Sequence, residues 1–105
     1  MKINTIVKTK YGVKSTSGFK KDLKKAYKQG KDIDKLNIIV KKIANGEVLD
    51  EKYKNHNLVD DKKYKGCQEC HIEPYWLLVY KYVDDELLLL LINTGSHSNL
   101  FNKIV

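Results

Sequence analysis

The chain has 105 residues, 42% hydrophobic and 31% charged, with a formal net charge of +7. That length leaves room for one modest core, and the longest apolar run, Leu87 to Ile92, is too short for a membrane-spanning helix. Every basic residue is lysine, and thirteen of the twenty stand in residues 1–42 against only Asp22, Asp32 and Asp34, a field suited to a polyanion or an acidic protein partner.

Residues 1–10 read as an irregular extension, with lysines but no apolar stretch that would suggest an export signal, so a cytoplasmic location and two reduced cysteines are expected. Residues 11–105 read as a single domain. Tyr11 to Ser15 alternates as a short first strand with Val13 facing inward. From Ser17 the period changes: Phe19, Leu23, Ala26 and Tyr27 fall at helical spacing, Thr16 or Ser17 can cap the start, and Gly30 ends the helix. Its outward face carries Lys20, Lys24 and Lys28 in one row with Lys21 and Lys25 beside it, which repels itself unless an anion is near. Asp32 can cap a second helix with Ile33, Leu36, Ile39, Val40 and Ile43 as its buried stripe, closed by Asn45-Gly46.

Glu47 to Gly66 is polar and rich in turn formers, and reads as a long ordered loop that contains His56. Cys67 to Ile72 then alternates as a second strand, Trp76 to Val83 makes a third, and Asp84-Asp85 turns into the leucine run as a fourth. The unbroken run from Leu87 to Ile92 suits a strand in the middle of a sheet, buried on both faces. The expected fold is α+β in the order β-α-α-β-β-β: an antiparallel sheet of about four strands, two amino-terminal helices on one face and a short carboxy-terminal helical turn.

Cys67-Gln68-Glu69-Cys70-His71 matches the spacing of a c-type haem attachment site. In a strand, however, residues three apart point to opposite faces, so the two thiols cannot share an ion without a bend, and Cys70 is expected to pack in the core. No cofactor and no metal is expected. His56, His71 and His97 sit beside polar residues and are of the side-chain type that exchanges protons near neutrality. Beside a lysine-rich face they suit metal-free RNA cleavage, which needs a base for the 2′-hydroxyl, an acid for the leaving oxygen and positive charge on the phosphorane. Tyr75, Trp76 and Phe101 could stack on bases, with core packing the equal alternative for Trp76.

Phe19 to Leu23, the Leu49 to His56 loop, Glu69-Cys70-His71-Ile72-Glu73-Pro74, Trp76 to Tyr80 and Thr94-Gly95-Ser96-His97-Ser98 with Leu100-Phe101 together resemble the YafQ group of the RelE/ParE toxin superfamily. The resemblance implies a microbial-ribonuclease-like fold and a type II toxin that cleaves mRNA on the ribosome. Its partners would be a cognate antitoxin, the ribosome and mRNA, with operator DNA reached only through the antitoxin complex and no membrane. Carried over by position, His97 corresponds to the main catalytic histidine, acting as general acid, and His56 and His71 to the two assisting ones. Trp76 and Phe101 correspond to positions that hold substrate. Asn93 stands where the family commonly has arginine, Tyr75 where it has aspartate, and Gln68 where it frequently has arginine. Lys63 or Lys65 could supply the charge that Asn93 lacks, with less geometric fit than a guanidinium. The resemblance leaves open a catalytically weakened relative that mainly binds its partners, and a ParE-like gyrase poison.

Overall fold

The computed structural model describes residues 9–101. Strands β1 (Gly12–Ser15), β2 (His56–Asn57), β3 (Gln68–Glu73), β4 (Trp76–Val83) and β5 (Leu88–Gly95) form one sheet in the order β1-β5-β4-β3-β2. Helices α1 (Ser17–Lys28) and α2 (Ile33–Ala44) follow β1, 3-10 turns occupy Glu51–Tyr53 and Asp84–Glu86, and α3 (His97–Phe101) follows β5. Of the expected amino-terminal extension, residues 1–8 lie outside the described residues.

The helix boundaries follow the capping chemistry. Thr16 Oγ1 accepts from the Phe19 amide at 3.0 Å and Asp32 Oδ1 from the Asp34 amide at 3.1 Å, while Gly30 (φ 80°) and Gly46 (φ 74°) take the left-handed backbone just past the two helix ends. Phe19, Ala26, Leu36, Ile39 and Ile43 bury against one face of the sheet, where they meet Cys70, Ile72, Trp76, Leu78, Tyr80, Leu89 and Leu91. On the other face a smaller cluster of Cys67, Leu77, Val79, Ile92 and Leu100 lies under Leu58, Tyr64 and Phe101.

Several expectations are corrected. The sheet has five strands rather than four and is mixed, because β1 pairs parallel with β5, Gly12 opposite Leu88 through Ser15 opposite Leu91. The long loop contains a two-residue edge strand, β2, too short to leave an alternation pattern in the sequence. Val13 is 44% exposed, since β1 lies at the sheet's edge, and Tyr27 is 74% exposed on the solvent side of α1. The leucine run alternates rather than burying evenly. Leu89 and Leu91 enter the helix-side core, Leu88 and Leu90 are half-buried, and Leu87 precedes the strand in a left-handed turn with φ 49°. The centre of the sheet belongs to β4.

The cysteines divide between the two apolar clusters, one on each face. Burial, with a smaller contribution from the Glu69 carboxylate, pushes the Cys70 thiol up to about 12. Burial also raises Cys67, against a partial offset from Lys81. A raised thiol stays protonated and unreactive at neutral pH. Thiol titration of the folded protein at about pH 8 should therefore find Cys70 unmodified until the chain unfolds. Leu78 is fully buried between the helices and the middle of the sheet. Truncating it, Leu78→Ala, should lower the unfolding free energy in urea by about 2–5 kcal/mol.

Candidate active site

The face of the sheet turned away from the helices is only half covered. Its apolar half lies beneath the 58–67 segment and α3, and its polar half is made by β2 and β3. Strand alternation places Glu69 and His71 on this face, opposite Val79 and Leu77 of β4, and the short β2 adds His56 directly opposite Glu69.

Glu69 is 4% exposed and is the focus of this half. Its Oε1 lies 3.5 Å from His56 Nε2 and 3.7 Å from His71 Nε2. The other nitrogen of each ring faces a backbone carbonyl: His56 Nδ1 is 2.8 Å from the Lys54 oxygen, and His71 Nδ1 is 3.3 Å from the Pro74 oxygen. A carbonyl can only accept, so Nδ1 is the donor in both rings. Each Nε2 is thus left free to hold or release a proton beside one shared carboxylate. Both rings also remain open to solvent, His56 more so than His71.

His97 begins α3, two residues beyond Gly95. The ladder places His71 opposite Leu77 and Leu77 opposite Gly95, so one intervening strand separates His71 from the segment that delivers His97. Adjacent strands lie about 4.8 Å apart, which makes that backbone separation about 10 Å, a span two imidazoles can bridge around a phosphodiester. The exposed His97 ring packs on Phe101 with centroids 4.9 Å apart. Phe101 in turn meets Tyr64 edge-on at 5.3 Å, and the buried Tyr64 hydroxyl donates to the Leu100 carbonyl at 3.2 Å. The apolar half of the face therefore orients the histidine of α3.

The remaining candidates are dispersed. Trp76, expected to touch substrate, is fully buried on the helix side. Leu77 and Val79 take the site face, and alternation along β4 turns the indole inward. Its Nε1 has no hydrogen-bond partner, and Lys31 Nζ lies 5.6 Å from the ring centre. Tyr75 is 87% exposed at the bend between β3 and β4. Asn93 is tied down: its Nδ2 donates to Asp22 Oδ2 of α1 at 2.8 Å, and the same oxygen accepts the Thr94 amide at 3.0 Å. Lys63 lines a cavity of about 360 Å³ with Asn93, Ser96 and Asn99, whereas Lys65 is exposed in the same segment and does not line it.

Two residues were missed by sequence reasoning. Glu69 carried a usable signal, because it stands two places before His71 on the same face of an alternating strand. Asp22 carried none, since its partners are more than seventy residues away. Among the described residues, no group of three histidine, cysteine, aspartate or glutamate side chains has the geometry to hold a metal ion.

Residues 11–102 match the family described as the bacterial toxin of the type II toxin-antitoxin system, YafQ. The mRNA interferase toxin YafQ of Escherichia coli strain B is 39% identical over 84 residues, which cover 79% of this chain and 87% of that protein. Among solved structures, the E. coli DinJ-YafQ toxin-antitoxin complex contains a chain that superposes with a TM-score of 0.78 at 34% identity, covering 88% of this chain and 98% of its own. A metal-bound toxin from Helicobacter pylori superposes with a TM-score of 0.80 at 38% identity, covering 87% of this chain and 99% of its own. The family match runs across the sheet, the two helices and the histidine-bearing face, and the chain belongs to the YafQ family of type II toxin–antitoxin toxins.

Proposed function

We propose that this YafQ-family toxin is a ribosome-dependent mRNA endoribonuclease with a RelE/ParE-like fold. It acts in the cytoplasm without a metal, and a cognate antitoxin restrains it and carries it to operator DNA. The naming of its E. coli relative as an mRNA interferase and the existence of DinJ-YafQ complexes support the reading. The observation that carries it is the pair of imidazoles, His56 and His71, whose Nε2 atoms face one buried carboxylate on the half of the sheet that stays open.

The steps follow from what each group can do. The pair of Glu69 and His71 accepts the proton of the 2′-hydroxyl, and the freed 2′ oxygen attacks the adjacent phosphorus. The bond from phosphorus to the 5′ oxygen breaks, and that oxygen takes a proton from His97. The products are a 2′,3′-cyclic phosphate and a 5′-hydroxyl end. Charge on the phosphorane is met by Lys63, which shares a cavity with Asn93, the position where the family commonly has arginine, and His56 donates a hydrogen bond to the phosphorane. Phe101 orients His97 through ring contact and shields it on one side. Trp76 contributes from behind the strand, by fixing the start of β4.

Asn93 bears on how strong this activity is. Held by Asp22, its amide offers no charge to the phosphate, and loss of one transition-state stabiliser costs about two to three orders of magnitude in rate. Lysines bring charge without the forked geometry of arginine. A slower enzyme than an arginine-bearing relative is the expected result.

Mapping of 5′ ends on cellular transcripts after induction tests the assignment. New cuts within translated codons are expected from the wild type, and His97→Gln should reduce them by about 10²–10⁴-fold while the purified variant keeps its antitoxin binding. Cuts at full strength from His97→Gln, or topoisomer accumulation without RNA cuts, would contradict it.

A further inference from the structure

A cleft of about 630 Å³ adjoins the reacting groups, with His71 in its lining. It opens beside His71, between α2, the turn at Glu51–Tyr53 and the Pro74-Tyr75 bend. That volume is of the size that receives a small organic ligand.

Three features of its lining point the same way. Tyr75 and Ile38 stand at the cleft with 87% and 57% of their surfaces exposed, two apolar platforms left uncovered among the described residues. Lys52 and Lys54 bring positive charge, with Lys52 Nζ 5.2 Å from the centre of the Tyr53 ring. Glu73 is the acid of the lining, and Lys35 neutralises it at 3.0 Å, so the cleft keeps a net positive charge. The third feature is backbone. Strand β2 pairs with β3 only at Gln68 and Glu69, which among the described residues leaves the β3 edge from Cys70 to Glu73 without a strand neighbour on that side. Free edge amides and carbonyls can read the polar edge of a base.

An aromatic face beside lysines, next to the reacting groups, is what single-stranded RNA requires: stacking for the base and charge for the backbone. We propose that this cleft is the subsite for the nucleotide flanking the scissile bond. Its base lies on Tyr75 against Ile38, its phosphate meets Lys52 and Lys54, and Tyr75 helps select which sites are cut. The inference rests on the ribonuclease reading and deepens it. The ring face is what matters, and the hydroxyl is dispensable.

A 2′-O-methyl RNA trinucleotide, which lacks the proton that cleavage removes, is the probe. Titrated into isotope-labelled protein and followed by NMR, it should shift the amides of Ile38, Lys52 to Lys54, Glu73 and Tyr75. Tyr75→Ala should weaken its binding roughly tenfold and Tyr75→Phe should preserve it. Because Tyr75 is exposed, both variants should melt with the wild type. In the cleavage assay Tyr75→Ala should redistribute the cut sites. Equal affinity in Tyr75→Ala, or shifts confined to residues outside the cleft, would overturn the subsite. So would occupation of the cleft by an antitoxin peptide but not by RNA. If the wild type cuts RNA and Tyr75→Ala cuts the same sites at the same rate, the subsite falls while the ribonuclease reading stands. A wild type that neither cuts RNA nor binds the probe would overturn both.

Discussion

The long antiparallel pair of β4 and β5 is the constraint on which the rest depends. Both strands run eight residues, from Trp76 to Val83 and from Leu88 to Gly95, and their apolar side chains enter both clusters. Burying two faces of one pair requires cover on both sides. The helices provide it on one side, and the 58–67 segment with α3 provides it on the other. The second cover is incomplete because it is short, and the face it leaves open is where Glu69 and the histidines stand. An irregularity in the pairing between Val79 and Tyr80 adjusts the register just before β5 reaches Asn93. From there Thr94 Oγ1 donates to the buried Leu77 carbonyl at 2.6 Å, holding the last turn before His97 to the centre of the sheet.

Much of this was legible in the chain because it is local. Thr16, Asp32 and the two glycines after the helices act within a few residues, and the alternation of β3 and β4 is visible without any partner. What escaped depends on distant pairing. No pattern within Gly12 to Ser15 says that its partner is β5 or that the two run parallel. His56-Asn57 is a strand only because β3 offers it an edge. Trp76 shows the limit most plainly: its position at the start of β4 was right, yet the choice between core and site depended on which face Leu77 and Val79 occupy. Glu69 was visible on the correct face and gained its meaning only when β2 brought His56 across from it.

Asp22 joins the sheet to the helical layer in an analogous way. One carboxylate oxygen takes both the Asn93 side chain and the Thr94 amide, at the point where β5 has outrun β1 and its edge is covered by α1 instead. Here the chain uses asparagine as a strut, so in the proposed chemistry the positive charge on the phosphate comes from elsewhere. Lys63, which lines one cavity with Asn93, is the group proposed for it, on the segment that also carries Tyr64 beneath Phe101. Charge supply and orientation of His97 thus come from neighbouring residues of one covering segment, which gives that segment a double role in the proposed chemistry.

Glu69 is the group on which the proposed chemistry of the histidines turns. The most direct measurement is the single-turnover rate of mRNA cleavage on programmed ribosomes by the wild type and by Glu69→Gln, a change that keeps the shape of the side chain and removes its charge. The proposed arrangement predicts a loss of about 10²–10⁴-fold, with the folded protein still binding its antitoxin. Cleavage by Glu69→Gln at the wild-type rate would contradict it.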